Sequence, residues 1–305
     1  MARNLRLLVN PAADRGRGAR DVDRVAARLR DAGFTVETVM TRDPEEAADL
    51  SRSAATAGTD VLVVAGGDGT IHLCLQALAG SDTTLGILPT GTGNDVARSL
   101  GIPRKDPIAA ADVIIASHER RIDLARVGSH LYATVLAAGF DSLVNERANT
   151  MSWPGGQMRY NIATLAELRV FEPLRYTLEI DGARRELAAM LVAVGNGPCY
   201  GGGLRMTEGA LVDDGLLDVV IIKPLGRLEL VRVYPRLFKG THVTHPQYER
   251  HRARTVSIAA PGVVAYADGE RIGPLPVTVE VVPRALRVYA PPTAATGTQG
   301  RSLDV

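Results

Sequence analysis

Only two cysteines, Cys74 and Cys199, occur in this chain of 305 residues, and they lie far apart. Two such residues make neither a disulfide framework nor a metal-ligand cluster, so a reducing cytoplasm is the expected compartment. No charge of one sign dominates: 35 Lys and Arg stand against 34 Asp and Glu. The basic excess that would single out nucleic acid as a partner is missing, and none is expected. The six histidines are scattered without ligand spacing, so solvated or core positions are their default. No stretch approaches the ~20 apolar residues that a membrane span needs. The first ten residues carry Arg3 and Arg6 but no long apolar region and no cleavage-like site. Two familiar phosphate-binding fingerprints are absent as well. There is no Gly-x-x-x-x-Gly-Lys-Ser/Thr, and no Gly-x-Gly-x-x-Gly at the first strand-to-helix turn.

What is present suffices for two domains, since 305 residues can bury two cores. The first third alternates strands and helices. Leu5–Asn10 reads as a buried strand running into Asn10-Pro11, and Phe34–Met40 as a second strand. Val22, Val25, Ala26 and Leu29 fall on one helical face, with Gly33 as a stop. Asp43, Pro44 and Glu46 form a helix start with proline at the first position. Val61–Ala65 and Leu85–Pro89 are continuous apolar strands, each followed by a glycine-rich turn and a helix. This pattern predicts an α/β N-terminal domain, 1–122, with a parallel sheet covered on both faces.

After about Arg121 the pattern changes. Ile122–Val127, Leu131–Ala137, Leu174–Ile180, Ala188–Val194, Leu217–Ile222, Thr255–Ala259, Val263–Ala267 and Val277–Val282 read as strands. They predict a C-terminal antiparallel β-sandwich or partly open barrel over 123–290, interrupted by one helix from about Gln157 to Phe171. A return of the chain to the first domain near 285–292 is allowed for. The Pro, Thr, Ala and Gly tail, 293–305, is expected to be disordered.

The chemistry sits in loops. Gly66-Gly67-Asp68-Gly69-Thr70 exposes backbone N–H groups at a helix N-terminus, where phosphate is stabilised. A carboxylate there would repel a triphosphate unless a hard cation such as Mg²⁺ lay between them. The plainer alternative is a tight turn with Asp68 as a cap. Pro89-Thr90-Gly91-Thr92-Gly93-Asn94-Asp95 again ends a buried strand, with Asn94 placed to cap the next helix. Two such loops at the carboxyl ends of strands in one sheet converge on the crevice where open α/β folds bind ligands.

In that order, Asn10-Pro11 and these two loops resemble the diacylglycerol kinase catalytic-domain family, which shares this sheet type with NAD kinase. The likeness continues through Gly139-Phe140-Asp141, Asn196-Gly197, Gly201-Gly202-Gly203, Asp213-Asp214-Gly215-Leu216-Leu217-Asp218 and Asp268-Gly269-Glu270. It spans Leu5 to Tyr289. The resemblance implies an ATP-dependent lipid kinase that converts diacylglycerol to phosphatidic acid in a cleft between the two domains. Asn10, Thr41, Gly66, Gly67, Asp68, Gly69, Thr70, Gly91, Thr92, Gly93 and Asn94 are the implied ATP site. Asp214, with the carbonyls of Leu211 and Leu216, is the implied Mg²⁺ site, coupled through water to Asp68. Asp268 and Glu270 are the implied catalytic acids, Glu270 taking the acceptor's proton. Peripheral, transient membrane contact is expected, and a homodimer is left open.

One departure stands out. Many members place Ser-Gly two residues beyond Asn-Pro, where this chain has Ala13-Asp14. A hydroxyl contact to phosphate is lost there, and Asp14 needs Arg15 or Arg17 to offset it. Several motifs also have plainer readings. Asp213-Asp214-Gly215 and Asp268-Gly269 could be hairpin turns, Gln157–Phe171 with Trp153 and Pro154 before it a packing helix, and the arginine-rich Tyr248–Arg254 a solvated loop. Sphingoid-base or ceramide phosphorylation is the nearest alternative activity. A catalytically silent nucleotide- or lipid-binding regulator is the alternative of another class.

Overall fold

The computed structural model describes residues 3–11, 21–153, 157–168 and 172–292. Ala13, Asp14, Arg15, Arg17 and Pro154, the end of the predicted 157–171 helix and the tail 293–305 lie outside the described residues. The chain begins β1 (Arg3–Val9), α1 (Val22–Asp31), β2 (Phe34–Met40), α2 (Pro44–Thr56), β3 (Val61–Gly66), α3 (Asp68–Leu78) and β4 (Thr84–Pro89). The four strands pair in parallel in the order β2-β1-β3-β4. Every residue of β3 and β4 is buried, as continuous apolar runs require when helices cover both sheet faces. Asp43 accepts a hydrogen bond from the Glu46 amide at 2.8 Å, so α2 starts at the aspartate–proline signal.

Then follow α4 (Asp95–Ser99), α5 (Pro107–Ala116), β5 (Glu119–Val127), β6 (His130–Tyr132), β7 (Val135–Gly139), α6 (Phe140–Thr150) and α7 (Gln157–Leu168). The rest is β8 (Leu174–Ile180), β9 (Ala183–Ala189), β10 (Leu191–Gly195), β11 (Leu217–Ile222), α8 (Arg227–Lys239), β12 (Tyr248–Ala253), β13 (Thr255–Ala259), β14 (Val264–Ala267), β15 (Glu270–Pro274) and β16 (Val277–Tyr289). β16 carries the parallel sheet into the second half. It pairs with β4 at Val288, with β5 along most of its length, and with β13 through Val277–Glu280. β8 and β9 extend that sheet, while a second sheet runs β12-β11-β10-β7-β14-β15.

The two sheets pack as a sandwich. Leu136 and Ala138 of β7, Val192 and Val194 of β10 share one core with Tyr176, Leu178, Val256 and Ile258 of the other sheet. The alternate residues Val135, Ala137, Leu191 and Ala193 point the opposite way, into a core with Tyr200 and Met206. The second sheet is therefore apolar on both faces, and its outer face needs a cover. α8 supplies part of it.

The elements differ from the sequence reading where local chemistry competes with pattern. The stretch 131–137 is two strands, because the amides of Ala133 and Thr134 bond to the Asp268 carboxylate instead of a neighbouring strand. The stretch 188–194 is likewise divided, β9 and β10 belonging to different sheets. Tyr248–Ala253 is an edge strand rather than a loop. Its polar residues are paired, Arg250 with Asp218 and Glu249 with Lys223. α6 and α8 are helices beyond the one expected.

Candidate active site

The first glycine loop closes on itself. A β-carbon on Gly66 would meet the Thr70 side chain at 2.7 Å, and Asn10 Nδ2 donates to Thr70 Oγ1 at 3.1 Å. The Asn10 amide donates to the Ala65 carbonyl at 3.0 Å, and Thr41 Oγ1 donates to the Val9 carbonyl at 3.2 Å. Asn10, Thr41 and Thr70 thus stand together at the carboxyl ends of β1, β2 and β3.

The second loop is built differently from expectation. Asn94 adopts a left-handed conformation and folds its side chain back onto Gly91, accepting from the Gly91 amide at 2.9 Å and donating to its carbonyl at 2.6 Å. It therefore does not cap α4. Asp68 does that from the other loop: its Oδ1 accepts from the amides of Asp95 at 2.7 Å and Val96 at 3.2 Å. Asp68 thus fastens the two loops together through the positive end of a helix.

A third loop joins them. The Gly202 amide donates to Asp95 Oδ2 at 2.7 Å, and Arg98 bridges Asp95 and the carbonyls of Gly93 and Gly202 at 3.4 Å. A β-carbon on Gly93 would lie 2.7 Å from Asp68 Oδ2 and 3.5 Å from the Gly202 α-carbon. Asp95 and Arg98 are thus the site residues that sequence reasoning passed over. The signal for Asp95 was its place directly after the Gly91–Asn94 run.

Asp268 and Glu270 part company. Both Asp268 and Gly269 have positive φ, 50° and 88°, and form a two-residue turn that pairs Ala267 with Glu270. The extended backbone that would put the two side chains on one face is absent. The Asp268 carboxylate is 2% exposed and accepts from the Ala133 and Thr134 amides at 2.8 and 2.9 Å and from the Thr134 hydroxyl. His72 Nδ1 stands 3.7 Å from its Oδ2. Asn196 supports this arrangement, donating to the Asp123 and Ala133 carbonyls at 2.9 and 3.0 Å. Glu270 is exposed, and its Oε1 would be 3.8 Å from a methyl group on Gly69. The free carboxylate of the pair therefore overhangs the first glycine loop, while the other is held by three donors.

Burial, reinforced by the neighbouring Asp95 and opposed by the two amides it accepts from, pushes the Asp68 carboxyl up to about 6. Burial also raises Asp95. Three acids thus gather at one end of a cavity of about 380 Å³, where Asp68, Asp95 and Asp268 meet Thr92 and Thr134. The rest of its wall is apolar, with Val135 and Leu191 from the second sheet, Phe140 and Val144 from α6, and Val233 and Leu237 from α8.

The Mg²⁺ set expected around Asp214 has another occupant. Asp214 Oδ1 accepts from the Leu216 amide at 3.1 Å, and its Oδ2 pairs with the Arg252 guanidinium. Asp213 is paired with Arg120 at 2.7 Å, and Leu211 lies exposed. A hard cation at this loop would have to displace Arg252, so the residues as arranged do not fit one. Asp68 Oδ2 fits better. Asp68 is half-buried and lines the cavity, and no donor among the described residues reaches this second oxygen. No cluster of three potential ligands occurs among the described residues, so an ion there would take its other ligands from phosphate and water.

The model of the diacylglycerol kinase catalytic domain matches residues 4–127, and that of the YegS C-terminal NAD kinase beta sandwich-like domain matches residues 134–290. The chain is 43% identical over 290 residues to a diacylglycerol kinase of Mycobacterium tuberculosis, covering 93% of this chain and 94% of that one. It is 29% identical over 290 residues to a diacylglycerol kinase of Bacillus subtilis, covering 94% and 96%. The crystal structure of a diacylglycerol kinase from Bacillus anthracis shares the fold, with a TM-score of 0.74 at 23% identity over 95% of this chain and 97% of that one.

Proposed function

This chain belongs to the diacylglycerol kinase family, and on that premise we propose that it moves the γ-phosphoryl group of ATP onto the hydroxyl of diacylglycerol, giving phosphatidic acid. The observation that carries the reading is the cavity, apolar along its body and acidic at the end that adjoins both glycine loops. Such a shape suits an acceptor with a long hydrocarbon part and one reactive alcohol.

ATP binds with its phosphates against the backbone of Gly66–Thr70 and Gly91–Asn94, beside Asn10 and Thr41. The N-terminus of α3 faces them, and its N–H groups favour anionic oxygen. A Mg²⁺ arriving with the nucleotide would be held by Asp68 and would supply neutralisation of phosphate charge. In the transfer the bond between the γ-phosphorus and the bridging oxygen breaks, leaving ADP. A new bond forms from the acceptor oxygen to that phosphorus. The acceptor's proton passes to a carboxylate, and Glu270 is the group we assign, being free of the contacts that commit Asp268. Asp268 is then a positioning residue, pinning the Ala133–Thr134 segment and the turn that presents Glu270.

Incubation of the purified protein with γ-labelled ATP, Mg²⁺ and a panel of lipid alcohols in mixed micelles tests this reading. Label in phosphatidic acid is expected. Label only in a sphingoid base or ceramide would move the acceptor to that class, and label in no lipid would favour a silent binder.

A further inference from the structure

Helix α8 is apolar on two sides. Leu230, Val233, Tyr234 and Leu237 follow one another at helical spacing and wall the cavity. A second row, Leu228, Val231 and Phe238, points outward and is 76%, 51% and 42% exposed. Exposed Pro235 completes it at the spacing i, i+3, i+7, i+10. At 3.6 residues per turn the two rows lie ~130° apart. A helix that is apolar all round belongs in a core or against lipid, and no protein group among the described residues covers the outer row.

Charge beside that row has one sign. Arg232 and Lys239 are exposed, lie ~70° round the helix from the row's centre, and have no ion-pair partner among the described residues. The one acid of the helix, Glu229, is paired with His245 at 3.1 Å. Arg236 donates to the Thr241 carbonyl at 2.6 Å, in the turn that follows the helix, and is committed there. The free charge on the outer side is therefore positive and abuts an apolar strip, the composition of a helix that lies in the boundary of an anionic bilayer.

We propose that α8 is the membrane-docking element of this protein. Leu228, Val231 and Phe238 enter the boundary between headgroups and acyl chains, and Arg232 and Lys239 meet the headgroup phosphates. A helix is ~10 Å across, so docking by one side brings the cavity on the other within about one helix width of the acyl chains. The same element then binds the surface and walls the acceptor site. That last link, from the docked surface to the acceptor, rests on reading the cavity as the acceptor site.

Sedimentation of the full chain with vesicles of phosphatidylcholine, with and without phosphatidylglycerol, tests it on two double variants. Wild type is expected to sediment with the anionic vesicles and to release with salt. Leu228→Asp/Val231→Asp should lower vesicle partition by at least ~10-fold at every salt concentration. Arg232→Ala/Lys239→Ala should keep weak binding but lose the preference for anionic vesicles. Both variants should phosphorylate a short-chain, water-soluble diacylglycerol at the wild-type rate, which shows that they fold. Vesicle binding unchanged in both variants overturns the proposal. So does a change of oligomeric state, read by light scattering, in Leu228→Asp/Val231→Asp with vesicle binding kept, since the row would then be a subunit interface. Vesicle binding that falls in the variants while the wild type phosphorylates neither short-chain nor vesicle-borne lipid would support docking and remove only the kinase reading.

Discussion

A β-carbon on Gly91 would lie 2.5 Å from the α-carbon of Gly67, so the two glycine loops touch backbone to backbone. The reverse substitution is milder, since a β-carbon on Gly67 would meet the Gly91 α-carbon at 3.2 Å. These glycines serve close approach rather than unusual backbone angles. Gly91→Ala is therefore expected to lower both thermal stability, by ~1–3 kcal/mol as for other overpacked sites, and ATP affinity. Gly67→Ala should leave the fold intact and weaken ATP alone. Thermal melts and ATP titrations of both variants check this, and equal stability of the two would contradict it.

Glu270→Gln is expected to lower turnover by ~10²–10⁴-fold with ATP affinity kept, the range for a lost general base. Asp268→Asn should behave differently, because an amide nitrogen would face a backbone N–H that the carboxylate now satisfies. It should lose ~1–3 kcal/mol of stability along with activity. Turnover and melting measured together separate the two. A stable Asp268→Asn protein that has lost turnover alone would return Asp268 to the chemistry.

Asp68 gives a pH prediction. An ordinary Asp titrates at 3.8, whereas burial raises Asp68 to about 6. Between those values the folded state holds a proton that the unfolded chain has released, and above them a buried charge opposes folding. Stability from this group is thus present at low pH and lost as pH rises through about 6. In nucleotide-free, Mg²⁺-free protein, Asp68→Asn should melt higher than wild type at pH 7.5, by ~1–3 kcal/mol, and converge with it near pH 4. A difference that does not vary with pH would remove the cause assigned here. Activity of the variant should be low throughout.

At Asp214 the arrangement predicts that Asp214→Ala leaves the Mg²⁺ titration of activity where it is, because Arg252 already neutralises the carboxylate. Stability should fall by less than ~1 kcal/mol, as for a partly exposed ion pair. A titration shifted to higher Mg²⁺ would show that the ion displaces Arg252.

Much of this architecture is legible in the sequence, for identifiable reasons. Val61–Ala65 and Leu85–Pro89 are short apolar runs that lead into glycine-rich loops, and their length and flanking glycine and proline fit buried parallel strands entering tight turns. The second half is harder to read, because its decisive contacts join residues distant in sequence. That Asp268 reaches back to Ala133 and Thr134 is invisible to any local pattern, and so is the break it makes in the strand. α8 escapes notice because Pro235 interrupts it and its two apolar rows blur the helical period. Tyr248–Ala253 reads as a solvated loop because its arginines and glutamate are strand residues whose partners, Asp218 and Lys223, lie on the neighbouring strand or just past its end.

The central claim is that the acceptor's hydrocarbon lies in the apolar cavity with its hydroxyl at the acidic end. Leu225 lines that cavity from the loop between β11 and α8, so a larger side chain there fills space without entering the strand core. The most direct test is the rate of label transfer from ATP to diacylglycerol by Leu225→Trp, with ATP affinity measured on the same protein. The account predicts a fall in kcat/KM for the lipid of ~10-fold or more with ATP affinity unchanged, a loss of ~1.4 kcal/mol. A wild-type rate of transfer in a folded Leu225→Trp protein would mean that the lipid binds elsewhere.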